Sequence, residues 1–314
     1  MTEKKEIKKY ELIIIGGGPA GATAAVYAAR KKLNTLVLTK DFGGGSVVSD
    51  TIENWTGEIE IKGKDLAQKI GDQVRHYKSE TFEVKEFQEV KSVEKVEDKK
   101  FKVVTMFGEE FLTEAVLITT GGKRRKLTVP GADKFEHKGL TYCASCDGPV
   151  FTDKDVVVIG GGNSAFESAS QLMAYCKSVK ILNRTGEFRA EPTMVESVLK
   201  NENVQGILNT NITEVLGDEF VTGIKYTENG EEKEMELSGV FVEIGSVPAT
   251  DYIQEGLVEK NKYNEIIVNH LTMETSQKGI WAAGDCNDGL YRQNGVAIGD
   301  GVKAIENIYG YLKA

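Results

Sequence analysis

The sequence is short of the residues that build metal sites. It holds 4 cysteines and 3 histidines in 314 residues, and the histidines, His76, His137 and His270, lie far apart. A structural zinc site takes four ligands, usually in close pairs, and the only close pair here is Cys143 and Cys146. No metal is therefore assigned. Long apolar runs are missing too: none approaches the roughly 20 residues of a membrane-spanning helix, and Leu12 to Ile15 runs straight into glycines. Nothing at the start reads as a secretion signal, so a cytoplasmic location is expected. Positive charge is in deficit, with a formal net charge of -9 that argues against general nucleic-acid binding. Proline is scarce, at 5 residues against 34 glycines, which suits turns that bring backbone close to phosphates. The length points to two domains, each large enough for its own core.

The chemistry is placed in Tyr142-Cys143-Ala144-Ser145-Cys146-Asp147-Gly148. Cysteines separated by two residues can close a small disulfide ring, and at a helix start the dipole lowers the pKa of one thiol. Asp147 follows directly and is placed to exchange a proton with a thiol or a departing sulfur. In a cytoplasmic chain a disulfide of this kind is a working group rather than a static brace. Cys176 and Cys286 stand alone and read as ordinary buried thiols.

Both sides of this pair read as nucleotide-binding machinery. Residues Met1 to Tyr10 are expected to form a solvated tail, and Leu12 to Ile15 a buried strand. Gly16, Gly18 and Gly21, with Pro19 and Ala20 between them, then lead into a helix from Ala22 to Arg30 and a strand from Thr35 to Leu38. In such a turn the first glycine permits the tight bend, the second admits a pyrophosphate, and the third lets helix and strand pack. Asp41 comes late for a ribose contact, which stays unassigned. Asp65 to Lys78 has helical spacing, and Glu83 to Val96 with Lys100 to Val104 predict a charged antiparallel hairpin. Ala115 to Thr119 predicts another buried strand, followed by the basic run Lys123 to Lys126.

The same pattern returns at Val156 to Ile159, with Gly160, Gly162, Asn163, Ser164 and Ala165 opening a helix to about Tyr175. After the strand Val179 to Leu182, Arg184 and Arg189 are candidates for a 2′-phosphate. Val204 to Val242 is rich in strand patterns, and Gly245 to Pro248 looks like a crossover. Near the end, Gly279 to Asp285 predicts a short strand ending in Gly-Asp, before Tyr291-Arg292-Gln293-Asn294 and a helix from about Gly299 to Leu312. Asp285 suits either a helix cap or a ribityl hydroxyl. Two nucleotide folds and one dithiol imply two cofactors in series, and a flavin converts hydride into dithiol chemistry.

Taken together, these motifs resemble the low-molecular-weight thioredoxin reductases. The resemblance rests on Gly16 to Gly21, Thr120-Gly121, Cys143 to Gly148, Phe188-Arg189-Ala190, Ala282 to Asp285 and Tyr291-Arg292-Gln293. It implies an α/β chain with two Rossmann-like domains, the second inserted into the first. Residues 1–120 and 247–314 would bind FAD, and residues 121–246 would form an NAD(P)H-type domain carrying the dithiol. The FAD contacts implied are Gly16, Gly18, Pro19, Ala20, Gly21, Gly44, Gly45, Asn54, Thr120, Gly121, Gly284, Asp285, Arg292, Gln293 and Asn294. It also implies a homodimer in which Cys146 faces the flavin, Cys143 attacks a thioredoxin disulfide, and Asp147 serves both. Alternation between two domain orientations, by rotation about Gly121-Gly122 and Gly245 to Pro248, would let the dithiol meet each in turn.

The sequence departs from that family at both nucleotide sites. Asn183-Arg184-Thr185 stands where His-Arg-Arg is usual, removing one phosphate-binding arginine. Gly43-Gly44-Gly45 replaces Gly-Gly-Gln, and Thr119-Thr120-Gly121-Gly122 replaces Ala-Thr-Gly-Ala. The donor is accordingly read as NADPH at a weakened site or as reduced ferredoxin, with Lys123 to Lys126 as a docking patch for that acidic protein. A non-catalytic flavin-binding redox sensor is the alternative from another class. A reductase for a peroxidase partner is a further one, weakened by the lack of an N-terminal thioredoxin-like domain.

Overall fold

The protein is described by a computed structural model covering residues 7–49 and 52–314. The chain divides into two compact units. One gathers residues 7–47, 52–123 and 247–314; the other holds residues 124–246 with residues 48 and 49.

The first unit is built on a sheet in the order Phe82–Lys85, Thr35–Phe42, Lys8–Gly17, Glu110–Ile118, Lys100–Thr105, Val90–Glu97. The first four strands run parallel, and the last two turn back antiparallel. The strand Glu110–Ile118 serves two neighbours on one edge. Its first half pairs with Lys100–Thr105, while Val116 to Ile118 pair with Ile280–Ala282. The central strands are apolar on both faces because helices cover them: Leu12, Ile13 and Ile14 are fully buried, as are Ala24, Ala25 and Ala28 of the helix Pro19–Arg30.

Three differences from the sequence expectation stand out here. The opening strand begins at Lys8, so Tyr10 is buried rather than part of a tail, and its hydroxyl donates to Glu83 at 2.6 Å. Residues 1–6 of the expected tail lie outside the described residues. Glu83 to Val96 is two strands, not one: Phe82–Lys85 adds to the parallel side, and Phe87, with φ of 58°, breaks the chain before Val90–Glu97. The final helix runs Asn294–Lys313, five residues earlier than its alternating glycines suggested.

The second unit holds an all-parallel sheet in the order Val204–Ile207, Ser178–Leu182, Asp155–Ile159, Gly239–Val242, Leu140–Thr141. Alternation along its central strand feeds two cores. Val156 and Val158 pack with Phe166 and Phe241, whereas Val157 and Ile159 pack with Phe135 and Val240. An antiparallel sheet of Thr210–Gly217, Val221–Glu228 and Glu231–Glu236 completes the unit. The crossings Gly122–Arg124 and Ser246–Pro248 pair with each other as a two-stranded ribbon.

Candidate active site: a dithiol and two glycine-rich turns

Cys143 and Cys146 form a disulfide, with Cα atoms 5.3 Å apart. The short helix Ala144–Asp147 starts at Cys143, which is its N-cap: the Cys143 sulfur accepts the amide hydrogen of Cys146 at 3.2 Å. That donor favours negative charge on Cys143 over Cys146, so Cys143 is the sulfur best placed to act as a thiolate. Ser145 anchors the turn by donating to Gln171 at 2.7 Å. On the other side, Thr141 donates to the Asp147 carboxylate and accepts the amide hydrogen of Cys143 at 3.3 Å. Thr141 was invisible in the sequence, because a threonine two residues before a cysteine carries no signal by itself.

The first glycine-rich turn lies in the first unit. Gly16 has φ of 114°, and a Cβ there would lie 2.4 Å from the Thr119 carbonyl oxygen. Gly18 faces open space instead: an added Cβ would find only the Gly44 Cα, at 3.8 Å. Gly18 is the N-cap of Pro19–Arg30, whose first turn contains Pro19, Ala20 and Gly21 and has no side-chain cap. Its amide hydrogens are thus left for a phosphate. The final helix is likewise uncapped at Gln293. Long-range hydrogen bonds draw the surrounding segments together: Ser46 to Asn294 at 2.8 Å and Asn54 to Gln293 at 3.1 Å. Nothing lies within 4 Å of a Cβ built on Gly45 or Gly121.

Two expected contacts in this unit are occupied by protein. Arg292 donates to the Asp285 carbonyl at 2.6 Å and to Glu265, acting as a brace. Thr120 gives its hydroxyl to the Ala249 carbonyl at 2.7 Å. Asp285, next to Gly284, is different. Its half-buried carboxylate accepts no hydrogen bond from any described residue, and burial raises its pKa against the pull of Arg292. It lies well before the final helix and caps nothing. An accessible carboxylate with no described protein donor fits a hydroxyl-bearing ligand.

The second turn repeats this geometry. Gly160 has φ of 143° and would meet the Glu243 carbonyl oxygen at 2.2 Å, while a Cβ on Gly162 has nothing within 4 Å. Gly162 is the uncapped N-cap of the helix Asn163–Leu172, which carries Ser164 and the buried Ala165 and ends three residues short of the expected Tyr175. Asn163 accepts the Glu191 amide hydrogen at 2.9 Å. The loop after Leu182 is held from within. Asn183 is buried and donates to the Thr185 and Glu187 carbonyls at 3.2 and 2.6 Å, and Thr185 donates to Glu187 at 3.0 Å. So the two non-arginine positions shape the loop. Arg184 and Arg189 are exposed on it, and no described carboxylate lies within 4 Å of either.

Sequence reasoning missed the buried carboxylate beneath this site. Glu243 accepts from Ser168 at 2.8 Å and pairs with Arg124; burial raises its pKa, with Arg124 opposing. Arg124 belongs to the basic run, and its neighbours are also paired: Lys123 with Asp251 at 3.6 Å and Lys126 with Glu136 at 2.7 Å. Only Arg125 of that run has no described carboxylate partner. Cys176 and Cys286 are buried, their thiol pKa values pushed up by burial to about 11 and about 12. Trp281 is a core residue bonded to Asn307 at 2.9 Å, and Trp55 packs against Ile52, Ile61 and Leu66. Among the described residues no group of acidic, histidine or cysteine side chains could hold a metal, and no helix is long and apolar enough to cross a membrane.

The sequence profile described as pyridine nucleotide-disulphide oxidoreductase matches residues 10–301. The chain belongs to that family. Within it, the chain is of the low-molecular-weight thioredoxin-reductase type, whose members bind FAD. It is similar to a Bacillus subtilis (strain 168) protein called NADH dehydrogenase, 38% identical over 99% of this chain and 60% of that one. It is also similar to thioredoxin reductase of Listeria monocytogenes, 36% identical over 98% of this chain and 95% of that one. Among solved structures, T. acidophilum thioredoxin reductase matches with a TM-score of 0.90 and 34% identity, covering 98% of this chain and all of that one. The chain spans about three fifths of the length of the first curated relatives it matches, 60% in the Bacillus case. The open backbone at Gly18 and Gly45, the uncapped start of the helix Pro19–Arg30 and the Asp285 carboxylate, which has no described hydrogen-bond donor, fit FAD.

Proposed function

We propose that the protein passes electrons from a pyridine nucleotide through FAD to the Cys143–Cys146 pair, and from there to the disulfide of a thioredoxin. The carrying observation is the bond from the Cys146 amide to the Cys143 sulfur, which marks one cysteine of the pair as the attacking thiolate. FAD, when bound, supplies the conversion of a hydride into a dithiol. The residues of the chain do the rest. Cys143 attacks the partner disulfide, forming a mixed disulfide, and the departing sulfur takes a proton from Asp147. Cys146 then attacks Cys143, the internal disulfide reforms, and the second partner thiol leaves protonated. Two electrons and two protons have moved to the partner.

NADPH is the donor this reading favours. Arg184 and Arg189 are exposed cations, with no described carboxylate within 4 Å, on the loop that follows the second strand of the second glycine-rich fold, where a 2′-phosphate binds in such folds. Reduced ferredoxin is the weaker reading, since Lys123, Arg124 and Lys126 are already matched by carboxylates. The relative named NADH dehydrogenase is as similar as the thioredoxin reductase, so overall identity does not separate the donors. A homodimer is proposed by analogy with the family.

Anaerobic titration of the flavin-loaded protein with NADPH, and separately NADH, tests this directly. Bleaching of the oxidised flavin band by NADPH at micromolar concentration, followed by turnover of a thioredoxin disulfide, is expected. No bleaching by either nucleotide, with reduced ferredoxin effective, would overturn the donor assignment. A protein that is reduced but never passes electrons to thioredoxin would overturn the acceptor.

A further inference from the structure

We propose that Thr141 is a positioning residue that keeps Asp147 and Cys143 in register while the disulfide is open. This rests on the dithiol chemistry proposed above. In the oxidised protein the Cys143–Cys146 bond closes the turn. Reduction removes that covalent closure and leaves Asp147 at the end of a four-residue helix, too short to hold itself. Thr141 does not depend on that helix. It lies on the strand Leu140–Thr141, paired through Val240 and Phe241 to the parallel sheet, and is 5% exposed.

The single hydroxyl has two tasks. Its hydrogen goes to Oδ2 of Asp147, which fixes the carboxyl group about its own torsion. Its lone pair takes the Cys143 amide hydrogen, which fixes the backbone that carries the attacking sulfur. The acid and the nucleophile are thereby referred to one rigid sheet position. During the attack, the bond between Cys143 and the partner sulfur forms as the partner disulfide breaks, and the leaving thiolate needs a proton at that instant. A carboxyl group free to rotate would be aimed correctly for only a fraction of the encounters.

The test uses the full-length, FAD-loaded protein, chemically reduced and mixed in single turnover with oxidised thioredoxin. A second arm uses 2-hydroxyethyl disulfide, a small alkyl disulfide whose leaving thiolate also needs a proton. Thr141→Val should slow both transfers by on the order of 10-fold, part of the general-acid contribution, with the half-saturating thioredoxin concentration unchanged. Thr141→Ser, which keeps the hydroxyl, should return the rate to within about 2-fold of the parent. Adding Thr141→Val to Asp147→Asn should cost less than Thr141→Val costs alone, because the part of its effect that runs through Asp147 is already lost. A Ser variant as slow as the Val variant, or losses that add independently, would overturn the proposal. If the parent reduces hydroxyethyl disulfide but not thioredoxin, the acceptor reading fails while the small-disulfide arm still decides the role of Thr141.

Discussion

The amide of Cys146 donates to the sulfur of Cys143, and no reciprocal donor reaches the Cys146 sulfur among the described residues. The two thiols of the reduced protein are therefore unequal. Cys143→Ser should abolish thioredoxin reduction while leaving flavin reduction by the donor intact. Cys146→Ser should instead trap a covalent mixed disulfide with thioredoxin, visible by non-reducing electrophoresis. The opposite pattern would reverse the assignment.

Alkylation offers an independent count. Burial holds the Cys176 and Cys286 thiols protonated, near about 11 and about 12, so neither forms a thiolate at neutral pH. Iodoacetamide at pH 8 should label only the dithiol in the native reduced protein and all 4 cysteines after denaturation. Mass spectrometry of each state checks this.

Arg184 and Arg189 should set cofactor choice. A charge-assisted hydrogen bond contributes roughly 1.5–3 kcal/mol, so each Arg→Ala change should raise the KM for NADPH by on the order of 10- to 100-fold. The KM for NADH should barely move, because NADH lacks the phosphate. Steady-state kinetics with both nucleotides separates the outcomes. Equal losses for both would point to a damaged loop instead.

Asp285 should oppose folding in the apoprotein and favour it with FAD. Its pKa is raised by burial, so the native state holds its proton more tightly than the unfolded chain. Stability of the apoprotein must therefore fall as pH rises from the unfolded value through the raised native one, and remain reduced above it. Asp285→Asn should make the apoprotein more stable at neutral pH by removing that cost. The same change should weaken FAD binding by about 10-fold or more, since a hydrogen bond to a charged acceptor is lost. Thermal melts of apo and loaded protein, with a flavin titration, test both halves.

Removing Arg124 should leave Glu243 as an uncompensated buried carboxylate. Breaking a buried pair costs about 3–5 kcal/mol, and the partial exposure of Arg124 puts Arg124→Ala at about the low end of that range. Because loss of Arg124 raises the Glu243 pKa further, the variant's penalty should shrink as pH falls and the carboxyl becomes protonated. Chemical denaturation at several pH values would show this. Glu243→Gln in the same background should recover part of the loss.

What could be read from the sequence was local chemistry. Both glycine-rich turns and the cysteine pair announce themselves because backbone close approach demands glycine and disulfide closure demands a short spacing. What could not be read depends on partners distant in the chain. Tyr10 looked like tail because its neighbours are lysines, yet its partner Glu83 lies 73 residues on. The break at Phe87 follows a sheet edge that no periodicity encodes. Asn183 and Thr185 looked like losses from a phosphate site, whereas their side chains build the loop that displays the remaining arginines. Thr141 and Glu243 carry no motif at all, and Arg124 was visible only as one member of a basic run, not as the partner of a buried carboxylate.

The split of the first unit also sets an order of events during synthesis. Its strand Glu110–Ile118 waits for Ile280–Ala282, and its helix Pro19–Arg30 for Asn294–Lys313, partners that leave the ribosome only after all of residues 124–246. The interior unit can close its own parallel sheet while the outer one is still incomplete. A released chain truncated after residue 260 should thus already possess a protease-resistant dithiol unit, but bind no flavin without the last helix.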